Sequence, residues 1–414
     1  MELRPLTLLY GPNNVGKSAL LRILPLIDDS LAPGAGVPLV LSGAAGRGAT
    51  FSDVLWSGER ESDEVSVLTI GIEFPPDSGV HRVEFEIHAL DAGHRVSGTP
   101  IVRALSVWSE RGAPGWRAQR LIADSEDPAA ELPFEVSSKT RRAHSVKIRF
   151  EGLVPLSKAR LPGLAELRRA LKDLRGSIQW LTAPRICEQR IIPEPIGVSP
   201  GLMSPRGEVA VLQALRADPT LAEQVSRWYR AGGGEAATQG AAREIRFEPV
   251  PPSHFRALMA TPGTNRLAVN IVDAGAGWVQ LLPVLTALAL AVRERGPRIV
   301  AIEEPEANLH PSAQRAIAQA VTEVVHRRRD VCLALETHSY PLLQYLQLQI
   351  IAGKLSVDDV VAYWVSQSAA GESQLVRGTF DRNGNISSNW PSSAFVESLD
   401  LAREIASARR RKSR

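Results

Sequence analysis

Cysteine is almost missing from this chain, with two residues, Cys187 and Cys332, among 414. One sits in a Pro- and Arg-rich stretch and the other inside an apolar run. That usage excludes a disulfide framework or a cysteine-based metal cluster, and it predicts a reducing, cytoplasmic setting. Apolar runs of membrane-spanning length are missing too, and no signal-like segment precedes the first apolar run, so no membrane partner is expected. Charge imbalance is slight. Lys and Arg number 48 against 45 Asp and Glu, a net charge of +3, so contact with nucleic acid cannot be argued from charge. The obvious basic cluster, Arg409-Arg410-Arg411-Lys412-Ser413-Arg414, reads as a solvated tail. Heptads long enough for a coiled coil do not occur, nor does an internal repeat. After Ser339 there is no second acidic cluster of the kind a metal-dependent nuclease requires.

What the chain does have is a glycine string behind an apolar strand. Residues 11–18, GPNNVGKS, satisfy G-x-x-x-x-G-K-[ST] and follow Leu6-Thr7-Leu8-Leu9-Tyr10, so strand, phosphate loop and helix come in the order the motif requires. Gly11 and Gly16 let the backbone curl, turning the N–H groups of the intervening Asn13, Asn14 and Val15 toward a polyphosphate. Lys17 adds a positive charge. The helix beginning near Lys17 and continuing through Ala19 aims its partly positive N-terminus at the same phosphates. Ser18 supplies a hydroxyl ligand for magnesium, so ATP and Mg2+ are the expected cofactors.

A magnesium ion held by one hydroxyl and phosphate oxygens needs an acidic residue at a strand end as well. Ile299-Val300-Ala301-Ile302 reads as a buried parallel strand, with Glu303 and Glu304 at its carboxyl end. By position Glu303 would orient the magnesium, while Glu304 would polarise the attacking water, with Glu306 the next candidate for that role. Leu333-Ala334-Leu335 forms a second apolar strand that ends in Glu336-Thr337-His338-Ser339. His338 there is expected to sense a terminal phosphate oxygen.

Between these motifs, alternation predicts strands over Val65 to Phe74, Val83 to Leu90, Ile101 to Trp108 and Ser145 to Phe150, an antiparallel sheet. Helices are expected over Leu164 to Leu174, over Glu208 to Tyr229 with a break at Asp218-Pro219, over Leu281 to Arg293 and over Tyr340 to Ala352. Strands should follow at Val360 to Val365 and Gln374 to Phe380. Arg230 to Arg243 reads as a flexible surface loop. Four segments result: 1–155, a phosphate-loop lobe with the antiparallel β subdomain; 156–260, a helical lobe and loop; 261–400, the remaining motifs with C-terminal strands; and 401–414, the basic tail.

These strings, with EEPEANLHP at 303–311 and ETHS at 336–339, resemble the ABC-type ATPases of the RecF, SMC and OLD group, most nearly a compact bacterial AAA-type branch with a C-terminal domain of unknown function. Similar stretches are QWLTAPR at 179–185, PRGE at 205–208, VNIVDAG at 269–275 and Asn389-Trp390-Pro391 before Phe395. The resemblance implies an α/β fold: an ABC-type P-loop ATPase head with a mixed central sheet, an antiparallel β subdomain and a helical lobe, without a long coiled coil. It further implies a head-to-tail dimer or higher homo-oligomer, each ATP lying between one subunit's phosphate loop and the other's signature motif. Gly275 and Gly277 would carry that signature here. Val279 stands where the branch usually has a serine, and a valine cannot donate to phosphate. The branch also usually places a strand or two before the phosphate-loop strand, so an edge strand must come from elsewhere or the start is late.

By the same resemblance the expected function is an ATP-hydrolysing dimerising switch that works beside a separate effector, such as a nuclease, in bacterial anti-phage defence. A RecF-like DNA-maintenance ATPase that binds nucleic acid is the main alternative, and a non-hydrolysing scaffold, motivated by Val279, is the other. A small-molecule kinase would leave the signature and His338 unexplained.

Overall fold

The computed structural model describes residues 1–55, 67–92, 95–109, 115–121, 130–138, 142–185, 188–195, 202–231, 244–260, 268–387 and 389–391. Cys187, Phe395, the basic tail and most of the loop expected at 230–243 lie outside the described residues. The chain forms two compact units, one of Met1–Leu21 with Gln179–Arg414 and one of Arg22–Ile178. Grouping therefore follows strand pairing and not chain order, and the phosphate loop belongs to the same unit as the C-terminal half.

The chain opens with β1 (Leu6–Tyr10) and α1 (Lys17–Ser30). Then come β2 (Val67–Glu73), β3 (Arg82–Ala92), β4 (Arg95–Trp108), β5 (Trp116–Arg120), β6 (Leu132–Ser137), β7 (His144–Glu151), β8 (Val154–Leu156) and α2 (Leu164–Leu174). Strands β2 to β8 make a seven-stranded antiparallel meander in sequence order. On β7 the inward Val146, Ile148 and Phe150 alternate with exposed neighbours, as a half-buried sheet demands. Helix α2 presents Leu164, Leu167 and Leu171, spaced to share one face, and packs beside β8.

The other unit continues with β9 (Ile178–Leu181), β10 (Ile192–Pro193), α3 (Glu208–Ala217), α4 (Pro219–Ala231), β11 (Ile245–Val250), β12 (His254–Ala260) and β13 (Ala268–Asn270). It ends with α5 (Ala276–Ala291), β14 (Ile299–Glu303), α6 (Pro311–Arg327), β15 (Cys332–Thr337), α7 (Tyr340–Ile351), β16 (Val360–Gln367) and β17 (Ser373–Gly378). Its main sheet runs β17-β16-β1-β15-β14-β9, with β1 parallel to β15 and β16, β14 parallel to β15, and β17 antiparallel to β16. The strand beside β1 is thus supplied by β16, and β1 is interior with no open edge. A small sheet of β10, β11, β12 and β13 accompanies it.

Leu6, Leu8, Val300, Ile302, Leu333, Leu335, Val360 and Ala362 put apolar side chains from adjacent strands into one core. Each such leucine contributes about 1.5–3 kcal/mol by leaving water. Helix α5 is apolar on every side and buried from Leu281 to Ala291 because α3, α4 and α6 pack around it above β14. Pro219 starts α4 and marks the predicted break in the helical lobe. The mixed central sheet, antiparallel β subdomain and helical lobe are those expected. Among the described residues no helix is long and apolar enough to cross a membrane, and the longest, α6, has 17 residues. Helix α5 begins at Ala276, five residues ahead of the sequence-based start, so Gly277 lies in its first turn.

Candidate functional site

Parallel strands β1, β14 and β15 end side by side, so the loops that leave them share one edge of the sheet. In register, Leu9 stands beside Glu336 and Glu336 beside Glu303. The three motifs are therefore brought together by strand pairing alone, with neighbouring strands about 4.8 Å apart.

The phosphate loop is held against β16 and β17. Gly11 has φ +155° and a Cβ there would stand 2.3 Å from the Val365 carbonyl oxygen, while Gly16 has φ +95° and a Cβ would meet Ser373 Oγ at 2.6 Å. At Gly11 any Cβ would have to move the backbone of β16, and at Gly16 it would displace the Ser373 side chain and strain the positive φ. Ser373 Oγ also donates to the Val15 carbonyl at 2.9 Å. Asn14, at φ +64°, makes the turn between the glycines. Asn13, Asn14 and Ala19 are exposed and Val15 is buried. Helix α1 starts at Lys17, so the N–H groups of Lys17, Ser18 and Ala19 have no acceptor within the helix. Lys17 is a buried residue, and its ammonium donates to the Pro12 carbonyl at 2.6 Å. Burial pulls its pKa down, opposed by the nearby Glu336, Glu304 and Glu306.

Ser18 Oγ donates to Glu336 Oε1 at 2.7 Å. Glu303 Oε2 instead accepts from Thr182 Oγ1 at 2.9 Å. The carboxylate that meets the Ser18 hydroxyl is thus Glu336, which lies within ETHS and had no role expected of it. Burial holds its carboxyl above the usual range, eased by Ser18 and reinforced by Glu303. Its Oε2 is buried without a hydrogen-bond partner, beside a hydroxyl, which fits a hard divalent cation; the Cβ-free cradle next to it fits a polyphosphate. Among the described residues no three His, Cys, Asp or Glu form a metal cage. Magnesium needs none, since one or two carboxylates and phosphate oxygens are its usual protein-site ligands.

Glu304 has φ +43°, a backbone strain held by its N–H donating to the Glu336 carbonyl at 2.8 Å. Glu306 is buried, and its Oε1 accepts from Thr337 Oγ1 at 2.7 Å and the His338 N–H at 3.2 Å. Its burial raises its pKa despite those donors. His338 itself lies exposed at the end of β15, so its ring is open to a ligand. Gly275, at φ +98°, caps α5, and a Cβ on Gly277 would stand 2.9 Å from the Asn308 carbonyl oxygen. No hydrogen bond among the described residues joins either glycine to the phosphate loop of the same chain.

Among the described residues Arg185 is the largest wholly buried side chain; it was missed by motif reading, although it ends the QWLTAPR stretch. Its guanidinium donates to the carbonyls of Glu303 at 2.9 Å, Glu304 at 2.6 Å, Thr182 at 3.2 Å and Gln280 at 3.2 Å. Burial pulls its pKa down to about 10, so it remains charged at neutral pH, supported by Glu306, Glu304 and Glu303.

Residues 212–343 match a family model for an AAA domain described as "putative AbiEii toxin, Type IV TA system". No curated protein matches the chain. Solved structures that overlap it include an SMC head bound to the C-winged helix domain of ScpA, at 11% identity, 90% of both chains and a TM-score of 0.41. The SMC head domain from Thermotoga maritima overlaps at 10% identity over 91% of both chains, TM-score 0.36. An SMC head with an extended coiled coil, bound to the C-terminal domain of ScpA derived from Pyrococcus furiosus, overlaps at 11% identity over 97% of this chain and 93% of that one, TM-score 0.39. Overlaps this loose carry no residue roles across. The phosphate loop, the strand-end carboxylates and the AAA match together make this a nucleotide-binding site of the P-loop ATPase type.

Proposed function

We propose that this chain is an ATP-hydrolysing switch that pairs with a second copy over bound nucleotide and signals its state to a separate effector protein, in bacterial anti-phage defence. The observation that carries the reading is the convergence of Lys17 and Ser18 with Glu303, Glu304, Glu306 and Glu336 at one edge of a parallel sheet. Bound ATP would supply the phosphoanhydride, and magnesium would offset its charge. Residues Gly11 to Ala19 would hold the phosphates through main-chain N–H groups and the Lys17 ammonium. Ser18 with Glu336 and Glu303 would hold the cation. Glu304, at the strained turn, would accept the proton of the attacking water, and His338 would donate to the terminal phosphate. Gly275 and Gly277, at the free N-terminus of α5, would face the partner's nucleotide. The description of the family model matched by residues 212–343, a putative toxin of a toxin–antitoxin system, supports a separate partner protein, and the defence setting extends the motif resemblance.

Glu336→Gln keeps the Ser18 contact but removes a negative charge, so the Mg2+ concentration for half-maximal turnover is expected to rise at least tenfold. Titrating Mg2+ at fixed ATP checks it. Pairing itself is tested by light scattering after size exclusion on the full chain. ATP with Mg2+ should shift the mass to twice that of one chain, and a mass that stays that of one chain at saturating ATP would remove the switch. Val279 favours a second reading, a scaffold that pairs on ATP without turning it over; phosphate release measured alongside separates the two.

A further inference from the structure

The N-terminal turns of helix α5 reach the loop between β14 and α6 by two routes. Gly277 lies directly against Asn308, close enough that a Cβ would stand 2.9 Å from its carbonyl oxygen. One turn along, Gln280 reaches it through Arg185, whose main chain it grips: its Oε1 accepts from the Arg185 N–H at 2.9 Å, and its Nε2 donates to the Arg185 carbonyl. Arg185 then donates to the carbonyls of Glu303 and Glu304 and, through Nε, back to the Gln280 carbonyl. A buried arginine ordinarily meets a carboxylate; here all four side-chain bonds go to backbone oxygens, which fixes where the main chain runs and not the charge of any partner. The residues so fixed are Glu303 and Glu304, of which Glu304 acts on Lys17 and stands at a positive φ that surrounding contacts must maintain.

We infer that Arg185 and Gln280 form a rigid strut between α5 and the Glu303–Glu304 turn, so that a displacement at the start of α5 shifts the Glu304 carboxylate. Arg185 is then a positioning residue. Its relevance to turnover rests on the reading that Glu304 is the water-polarising base. Whatever meets Gly275 and Gly277 is transmitted to the hydrolytic carboxylate of the same chain through two side chains, because close-packed elements shift as units.

The test is hydrogen exchange by mass spectrometry on the full chain, with ATP turnover measured in parallel, for Gln280→Leu and Arg185→Lys beside the unsubstituted protein. The Glu304, Ala307 and Leu309 amides, bonded to the carbonyls of Glu336, Glu304 and Glu306, report on the loop. Gln280→Leu is expected to speed exchange there at least tenfold, with β15 and α6 unchanged. Turnover should fall roughly ten- to a hundredfold in kcat with KM within twofold, since misplacing a catalytic group costs about that much. Arg185→Lys should do the same more severely; if it does not fold, Gln280→Leu decides. Loop exchange unchanged in Gln280→Leu overturns the strut, and so does a rise spread evenly over α5, α6 and β15, which marks general loosening. Faster loop exchange with unaltered turnover, or an unsubstituted chain that turns over no ATP, leaves the strut standing and removes Glu304 as the base.

Discussion

Glu304→Gln is expected to leave ATP affinity unchanged while lowering turnover about 10²- to 10⁴-fold, the usual worth of a positioned general base. The substitution is nearly isosteric and spares everything that holds the turn. The Glu304 N–H still donates to the Glu336 carbonyl and its carbonyl still accepts from Arg185, so the strained backbone persists. Lys17, Ser18 and the helix N-terminus are untouched, which is why binding survives. What disappears is a side chain able to take a proton. The ATP-bound pair should consequently live longer, by the factor that turnover slows. Isothermal titration and phosphate release check the two halves separately. Unchanged turnover would transfer the role to Glu306, yet that carboxylate is buried and already accepts from Thr337 and the His338 N–H, a structural duty that argues against it.

Lys17→Ala should weaken nucleotide binding at least a hundredfold. Lys17 is buried amid Glu336, Glu304 and Glu306, so its removal leaves those acidic groups facing the phosphates with magnesium alone to offset them. Truncating one partner of a buried charge pair costs about 2–5 kcal/mol, and a hundredfold in Kd is about 2.8 kcal/mol. Titration calorimetry with ATP and Mg2+ reads it. Binding within tenfold of the unsubstituted chain would mean that the loop amides alone hold the phosphates.

The sequence made β1, β14, β15 and α2 legible because each pairs a clear period with a clear end signal. It also located every residue that a phosphate-loop motif names. Less legible were β5, β6 and β8 to β13, mostly strands too short for alternation to show, of which β9 and β10 also pair with partners far along the chain. The start of α5 was misjudged because Gly275-Ala276-Gly277 reads as a turn, whereas burial of the helix carries it back to Ala276. Glu336 and Arg185 escaped for a different reason. A strand-end glutamate acquires its partner only when β15 lies beside β1, and an arginine bonding to four carbonyls leaves no spacing in the sequence at all.

Because the glycines of the cradle lean on Val365 and Ser373, and Leu6 to Tyr10 lie between β15 and β16, β1 has no neighbours in the sheet until those two strands are made. Tyr10 rests in the same way on Trp364 and Trp390. On the ribosome, then, the glycine string has no sheet to lie against until β15 and β16 follow it, and the cradle closes when the β16–β17 hairpin clears the exit tunnel. A chain broken off before β16 carries every motif and holds nothing.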